Sequence, residues 1–212
     1  METTVAFREL RRSEIRQAAE LAVRAFDDYE YFTNWFPTGK ERNAFQFSVI
    51  WHEYRTNYHR ADYLVATVDG KMAAVAQLNS PSYKKPSDLK YLLHGWLSVY
   101  KSGNRKVIDE WLAMDAAAGQ PCHDYQKTGE GIWYASSLTV NPSFQGKGIG
   151  SKFLEYWEEY VRERGGQQIV FFTNSQKNLN FYLKRGYEVF DEREIQYNGK
   201  TMGSWSLRKR LR

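Results

Sequence analysis

Residues Gly146-Lys147-Gly148-Ile149-Gly150-Ser151 place three glycines at the entrance to a segment of helical periodicity. Glycine leaves backbone N–H groups unshielded, so such a loop can lie directly against a ligand. Downstream, Phe153, Leu154, Trp157 and Val161 recur at helical spacing. The loop is therefore also a helix N-terminus, where free N–H groups and the helix dipole attract an anion. Upstream, Ile132 to Val140 is rich in aromatic and β-branched residues and reads as a strand, ended by Asn141-Pro142. Two familiar anion loops fail on spacing. A Walker A loop requires Gly-Lys-Ser/Thr after a glycine and four residues, but the fifth position beyond Gly146 is Ser151. A dinucleotide fingerprint needs its third glycine where Ser151 stands, followed by a βαβ unit with a ribose-binding carboxylate.

What remains is Gln145-x-x-Gly148-x-Gly150 after the strand end Val140-Asn141-Pro142. This resembles the acyl-CoA pyrophosphate loop of the GNAT superfamily of N-acyltransferases. A second match lies downstream. Residues 168–173 read as the next strand, preceded by Gly165-Gly166, which can end the loop helix with a left-handed residue. Asn174 or Ser175 can then cap a short helix, in which Asn178-Leu179-Asn180-Phe181-Tyr182-Leu183-Lys184-Arg185-Gly186-Tyr187 is similar to the superfamily's N-x-x-F-Y-x-x-x-G-Y/F signature. Asn178 and Tyr182 share one helix face and Leu179 and Leu183 an adjacent one, so one face can meet a cofactor and the other the core. From Trp133 onward the motif order is similar to that of puromycin N-acetyltransferase-like members. The resemblance covers about the last 80 residues closely and the first 80 only in layout.

The resemblance implies an α/β (α+β) GNAT fold in a single domain, residues 1–212, with a mixed, mostly antiparallel twisted sheet of about six to seven strands flanked by helices. It implies acetyl-CoA (CoA) as cofactor and acetyl transfer to the primary amine of a small molecule, an antibiotic or other xenobiotic among the candidates. In that reading Gln145, Gly146, Lys147, Gly148, Ile149, Gly150 and Ser151 cradle the pyrophosphate. The backbone of Leu138, Thr139 and Val140 pairs with the pantetheine arm and supplies an oxyanion donor. Thr173, Asn174, Asn178 and Phe181 complete the cofactor surface, and Tyr182 is the general acid. The chemistry suits a tyrosine, since a phenol is protonated at neutral pH and can donate to a departing thiolate.

No comparable residue presents itself as base. Tyr134 stands where some histone-acetylating members carry a glutamate, and Phe172 where puromycin-type enzymes look acidic. Deprotonation is therefore expected through water, with Ser137, Glu130 or Glu30 as candidates, and the missing glutamate argues against histone-type substrates. Two other readings remain open: a CoA-binding fold that no longer catalyses and serves as a sensor or interaction module, and a protein or peptide acetyltransferase.

Positioning these residues requires the rest of the chain. Residues 5–9 read as a strand, and Ser13 as the N-cap of a helix from about 13 to 26, carried by Ile15, Ala18, Ala19, Ala22, Val23 and Phe26. Residues 27–39 combine acids with aromatics in an expected loop and read in two ways: as an acceptor wall of Asp28, Tyr29, Glu30 and Trp35, with Tyr134, where Asp27, Asp28 or Glu30 could hold an ammonium group, or as a helix end with solvated acids beside a local aromatic cluster. A second helix is expected over roughly 40–59. Tyr63 to Val68, Asp69-Gly70 and Lys71 to Leu78 form a hairpin signal. Residues 79–130 read as a helical insert, with helices near 87–101 and 104–118, the latter ended by Gly119-Gln120-Pro121, covering the acceptor end of the cleft. Two closing strands, about 187–196 and 201–208, are joined by Asn198-Gly199.

Composition sets outer bounds. The 212 residues suffice for one proper core, and 42% hydrophobic with 16% aromatic content is globular rather than disordered. No apolar run approaches the roughly 20 residues of a membrane span, and Met1 to Leu10 lacks a signal-peptide core, so a cytoplasmic protein without membrane association is expected. Cys122 is the only cysteine, excluding an intrachain disulfide and a thiolate metal cluster, and no metal is expected. The net charge of +5 gathers in the tail and at Lys84-Lys85 without interleaved aromatics, which argues for a solvated basic surface and against nucleic acid. His94 and His123 lack motif partners and read as surface or structurally bonded histidines. The expected state is a monomer or weak homodimer.

Overall fold

A computed structural model describes residues 4–197 and 199–211 of the chain. Asp69-Gly70 folds β2 (Asp62–Val68) back on β3 (Lys71–Asn79), and both are buried along nearly their whole length because both faces of the sheet are covered. β1 (Val5–Glu9), β4 (Ile132–Val140), β5 (Gln168–Thr173), β6 (Glu188–Tyr197) and β7 (Lys200–Arg210) complete a seven-stranded sheet of order β1-β2-β3-β4-β5-β7-β6. Every neighbouring pair is antiparallel except β4 and β5. That parallel pair is short, running only from Ile132–Gln168 to Tyr134–Val170. Beyond Tyr134 the two strands part, and among the described residues the facing edges of 135–140 and 171–173 stay unpaired.

β4 carries a second irregularity. Gln77 pairs with Ser137 and Leu78 with Ala135, so Ser136 is an extra residue, a bulge. A one-residue slip reverses which way the following side chains point. Tyr134 and Ser137 thereby look toward the same side of the sheet: Tyr134 joins Cys122, and Ser137 lies beside Tyr54, a residue of the helix covering that side.

α1 (Ile15–Ala25), α3 (Gly39–Asn57) and α5 (Arg105–Gln126) cover that side, packing Ile15, Ala18, Leu21 and Tyr54 on Tyr63, Val65 and Val75, and Cys122 on Tyr134 and Val170. α6 (Ile149–Glu163) and α7 (Gln176–Leu183) cover the other, with Phe153, Leu154 and Trp157 on Leu64, Ala74, Ala76, Trp133 and Ile169. Each such fully buried side chain contributes about 1.5–3 kcal/mol relative to exposure. The expected strands 5–9, 132–140 and 168–173, the 69–70 hairpin and the 165–166 helix end all occur, Gly165 at φ +75°.

Four expectations change. Ser13 does not cap; it lies within a 3-10 turn, Arg12–Glu14, where the Glu14 carboxylate accepts the Arg11 N–H at 3.0 Å and pairs with Arg8 at 2.8 Å. Residues 27–39 are not all loop: α2 (Glu30–Thr33) forms because Tyr31, Phe32, Trp35 and Phe36 all turn inward onto an aromatic cluster with Phe45 and Trp111. The first insert helix divides into α4 (Asp88–Leu93) and a 3-10 turn, Trp96–Lys101, separated by Gly95. α5 runs through Pro121 to Gln126. Proline removes one helical hydrogen bond, and burial of Cys122 beside Ile132 and Val170 outweighs it. Of the closing turn, Asn198 lies outside the described residues, and Gly199 has φ +75°.

Candidate active site

The glycine loop forms as an exposed ledge at the end of β4. Asn141 caps a short 3-10 turn by accepting the Ser143 N–H at 3.1 Å, and the Gln145 side chain donates back to the Val140 carbonyl at 3.0 Å. Gly148 then caps α6 at φ +77°, a left-handed conformation that costs residues with a Cβ. Among the described residues the N–H groups of Gly146, Lys147 and Gly148 donate no backbone hydrogen bond. The N–H groups of Ile149, Gly150 and Ser151 belong to the first helical turn, which has no intrahelical acceptors. A Cβ at Gly146 or Gly148 would meet nothing within 4 Å, so this row of donors faces open space. The residues fit a diphosphate. The Lys147 ammonium turns back instead, donating to the Ser143 carbonyl at 2.9 Å. The cation at the helix entrance is Arg185, which donates to the Ser151 hydroxyl and to the Phe181 carbonyl and lies 3.7 Å over the Phe181 ring. Sequence reading passed over Arg185, although its place three residues after Tyr182 in the same motif was visible.

α7 joins this ledge to the split between β4 and β5. Ser175 caps it, accepting the Asn178 N–H at 3.4 Å. It closes with the Tyr187 N–H on the Tyr182 carbonyl at 3.2 Å and the Gly186 N–H on the Leu183 carbonyl at 3.1 Å, a Schellman pair with Gly186 at φ +79°. Tyr187 is fastened in turn: its hydroxyl donates to Glu158 at 2.9 Å and accepts from the Trp157 indole at 3.2 Å. The faces of α7 differ from expectation. Tyr182 and Leu179 are buried together, Asn178 is partly buried, and Leu183 is exposed, because the helix rests on Phe171 and Tyr187 through residues 179 and 182. Phe181 lies 3.8 Å from where a Gly150 Cβ would be, and its ring centre is 5.1 Å from that of Tyr182. The ledge and the phenol are thus adjacent. Burial holds the Tyr182 hydroxyl above the usual phenol range, with the Tyr29 phenol adding to the effect.

Tyr29 reaches the split from the opposite side, its hydroxyl accepting the Asn174 N–H at 3.0 Å. Asn174 donates its side-chain amide to the Gly203 carbonyl at 2.9 Å, and Thr173 is buried beside Trp205. Leu138 and Val140 are partly buried against the α6 side, while the Thr139 hydroxyl donates to the Val75 carbonyl at 3.2 Å. Ser137 Oγ is buried without a hydrogen-bond partner among the described residues.

Behind Tyr29 lie two carboxylates that sequence reading did not single out. Asp115 of α5 accepts the Tyr31 hydroxyl, and the Tyr31 ring is 6.1 Å from Phe172 of β5. Glu53 of α3 accepts the Tyr91 hydroxyl and the Asn57 side-chain amide, each at 2.8 Å, and lies beside Gln77 of β3. Burial raises the pKa of both, and the charge of Asp115 raises that of Glu53 further. Tyr134 of β4 feels both charges, and burial holds its hydroxyl strongly protonated.

The acids expected on the wall are elsewhere. Asp28 and Glu30 are exposed, and Asp27 pairs with Arg42 at 3.0 Å; α2 turns Tyr31 and Phe32 inward, which leaves Glu30 and the acids just before the helix on the outside. Glu130 is exposed next to Gly131, whose carbonyl accepts the Gln167 N–H at 2.7 Å at the paired end of β4 and β5, away from the split. Trp35 is buried in the aromatic cluster rather than lining the split. The His123 ring lies tilted against Tyr134, centres 4.5 Å apart, and His94 meets Thr56 at 3.1 Å; burial lowers the pKa of each. Burial pushes the Cys122 thiol up to about 12, so it stays a thiol. Among the described residues no group of three or more His, Cys, Asp or Glu is placed to hold a metal ion, and no helix is long and apolar enough to cross a membrane.

Comparison with known proteins is consistent with this arrangement. The family model described as "Acetyltransferase (GNAT) domain" matches residues 59–189. The fold is similar to that of a GCN5-related N-acetyltransferase from Rhodopseudomonas palustris, at 16% identity and TM-score 0.59 over 98% of this chain and 96% of that one. It is also similar to PaiA N-acetyltransferase from Thermoplasma acidophilum in complex with coenzyme A, at 12% identity and TM-score 0.57 over 98% and 99%. A third similar structure is the ribosomal-protein-S18-alanine N-acetyltransferase from Escherichia coli, at 12% identity and TM-score 0.57 over 98% and 94%.

Proposed function

The chain belongs to the GNAT acetyltransferase family, and from that premise we propose that it transfers the acetyl group of acetyl-CoA to the primary amine of a small molecule by direct attack in a ternary complex. The observation that carries this reading is the adjacency of the open row of N–H donors at residues 146–151 to the buried Tyr182 phenol, through the Gly150–Phe181 contact. In this reading those donors, with Arg185 behind Ser151, hold the cofactor diphosphate, and the unpaired edge of Leu138 to Val140 holds the pantetheine amides. Thr173, Asn174 and Asn178 border the same channel.

When bound, acetyl-CoA would supply a thioester whose carbonyl carbon the amine nitrogen can attack, so that a C–N bond would form as the C–S bond breaks and the sulfur would leave as thiolate. Tyr182 gives its proton to that sulfur and regains one from solvent; its raised pKa keeps it protonated for the purpose. In this reading a backbone N–H of Leu138 to Val140, on the edge that parts from β5, steadies the developing oxyanion, a contribution of roughly 3 kcal/mol per donor in other acyl transfers. Ser137 Oγ, buried and without a hydrogen-bond partner among the described residues, offers a relay to solvent for the proton leaving the amine. The Trp133-to-C-terminus likeness to puromycin N-acetyltransferase-like members puts antibiotic and xenobiotic amines among the acceptors to screen.

The test is free-thiol detection with acetyl-CoA across a panel of amines. Thiol release should be slow without acceptor and faster with a matching amine. A broad panel in which none accelerates release, with peptides accelerating it instead, would overturn the small-molecule reading.

A further inference from the structure

We propose that Glu53 and Asp115 form the charge-recognition site for the acceptor, and that the acceptor is a short aliphatic diamine whose spare ammonium group the two carboxylates hold. This rests on the reading that the split between β4 and β5 is the transfer site.

The two acids bracket β4 on the side away from α6. Glu53 stands beside Gln77 of β3, and Asp115, through Tyr31, stands against Phe172 of β5. Tyr134 of β4 feels both charges. The groups bonded to the carboxylates are neutral, namely Tyr31 on Asp115 and Tyr91 and Asn57 on Glu53. Among the described residues neither acid has an ion-pair partner. Two desolvated carboxylates without a counter-charge are costly, and a bound cation removes that cost.

A second observation points the same way. Tyr63 is 4% exposed, its hydroxyl has no hydrogen-bond partner among the described residues, and it lies near Glu53, Tyr83 and Tyr91. A hydroxyl left unsatisfied beside acids is an acceptor for an ammonium group, which brings three donors. The surrounding phenol rings of Tyr31, Tyr91 and Tyr134 offer faces that favour a cation. The cation whose charge reaches both acids in the free protein is Lys85, exposed on the loop after β3. An acceptor with a carboxylate beside its amine would meet Glu53 and Asp115 as like charges and be rejected.

The experiment measures calorimetric binding to the CoA-saturated protein, and initial rates, for 1,3-diaminopropane and 1,4-diaminobutane against propylamine, butylamine and alanine. Diamines should exceed the monoamines in kcat/KM by about tenfold or more, the size expected of one charge-assisted contact. Glu53→Gln and Asp115→Asn should each lose about that factor in diamine binding while retaining CoA affinity. Lys85→Ala, on an exposed loop, should bind diamines more tightly, which provides a readout even if a buried variant fails to fold. Monoamines that match diamines, variants that bind diamines like wild type, or weaker diamine binding in Lys85→Ala would overturn the proposal. A wild-type protein that does not take up CoA would instead overturn the reading of the split on which it rests.

Discussion

The Tyr29 hydroxyl accepts the backbone N–H of Asn174 at 3.0 Å, tying the segment between α1 and α2 to the end of β5 where it parts from β4. This bond joins the two sides of the sheet at the proposed transfer site. Tyr29→Phe leaves a buried N–H without an acceptor, at a cost of about 1–3 kcal/mol. Denaturant unfolding should register that loss, and acceptor KM should rise more than cofactor Kd. Unchanged stability would mean that the Asn174 N–H finds another partner.

Tyr182→Phe keeps the ring packed on Phe171 and Tyr187 but removes the proton donor. The expected outcome is a fall in kcat of roughly 10²–10⁴-fold with CoA affinity unchanged. Because burial raises the Tyr182 pKa above the ordinary phenol value, wild-type activity should show no alkaline decline from this group below about pH 10. A kcat unaltered in the variant would remove Tyr182 from the chemistry.

Lys209 pairs with the buried Glu158 carboxylate at 2.7 Å, and Glu158 also accepts the Tyr187 hydroxyl that anchors the end of α7. Lys209→Met strands the carboxylate and should cost about 3–5 kcal/mol. Adding Glu158→Gln should restore part of that loss. Thermal unfolding of the two single variants and the double variant checks the coupling; additive losses would contradict it.

Gly148→Ala places a Cβ in open space at φ +77°. The folding cost should be limited to the left-handed strain, roughly 1–2 kcal/mol. Calorimetry should find CoA affinity reduced by more than stability loss explains, because the methyl group crowds the row of N–H donors. Full CoA affinity in the folded variant would mean that the ligand lies elsewhere.

Glu53 and Asp115 set a pH dependence of opposite sign to the usual carboxylate. Burial raises both folded pKa values, so the folded state holds these protons more tightly than the unfolded one. Their stabilising contribution is complete below the ordinary carboxyl range, near pH 4, and is lost as pH rises through the raised values. Glu14, lowered by its hydrogen bond from Arg8, acts the other way and loses its contribution as pH falls. Comparing Tm against pH for wild type and Glu53→Gln isolates the first effect. The variant should gain on wild type as pH rises toward 7, and a constant difference would contradict the sign.

The parts of the site that depend on local rules were legible in the sequence. Gly165 ends α6 in the left-handed conformation, Asp69-Gly70 turns β2 into β3, Ser175 caps α7, and the 178–187 motif places Tyr182 one helix after β5. The two acids of the proposed charge-recognition site were not legible. Glu53 lies on a helix with buried residues on several faces, Phe45, Gln46, Val49, His52 and Tyr54 among them, so periodicity does not tell which side meets the sheet. Asp115 owes its place to α5 lying across β5, a tertiary contact, and α5 itself runs through Pro121 against local preference. Asp28 and Glu30 stand among aromatics, but residue type alone does not reveal that Asp28, before α2, and Glu30, at its start, point to solvent while Tyr31 and Phe32 turn inward.

The most direct test of the central claim is calorimetric titration of the purified protein with coenzyme A. Uptake of one equivalent per chain, weakened in Gly148→Ala and retained in Tyr182→Phe, is the predicted result. Absence of binding, or binding that Gly148→Ala leaves intact while Tyr182→Phe abolishes it, would contradict a diphosphate held by the 146–151 amides beside a phenol that acts only in transfer.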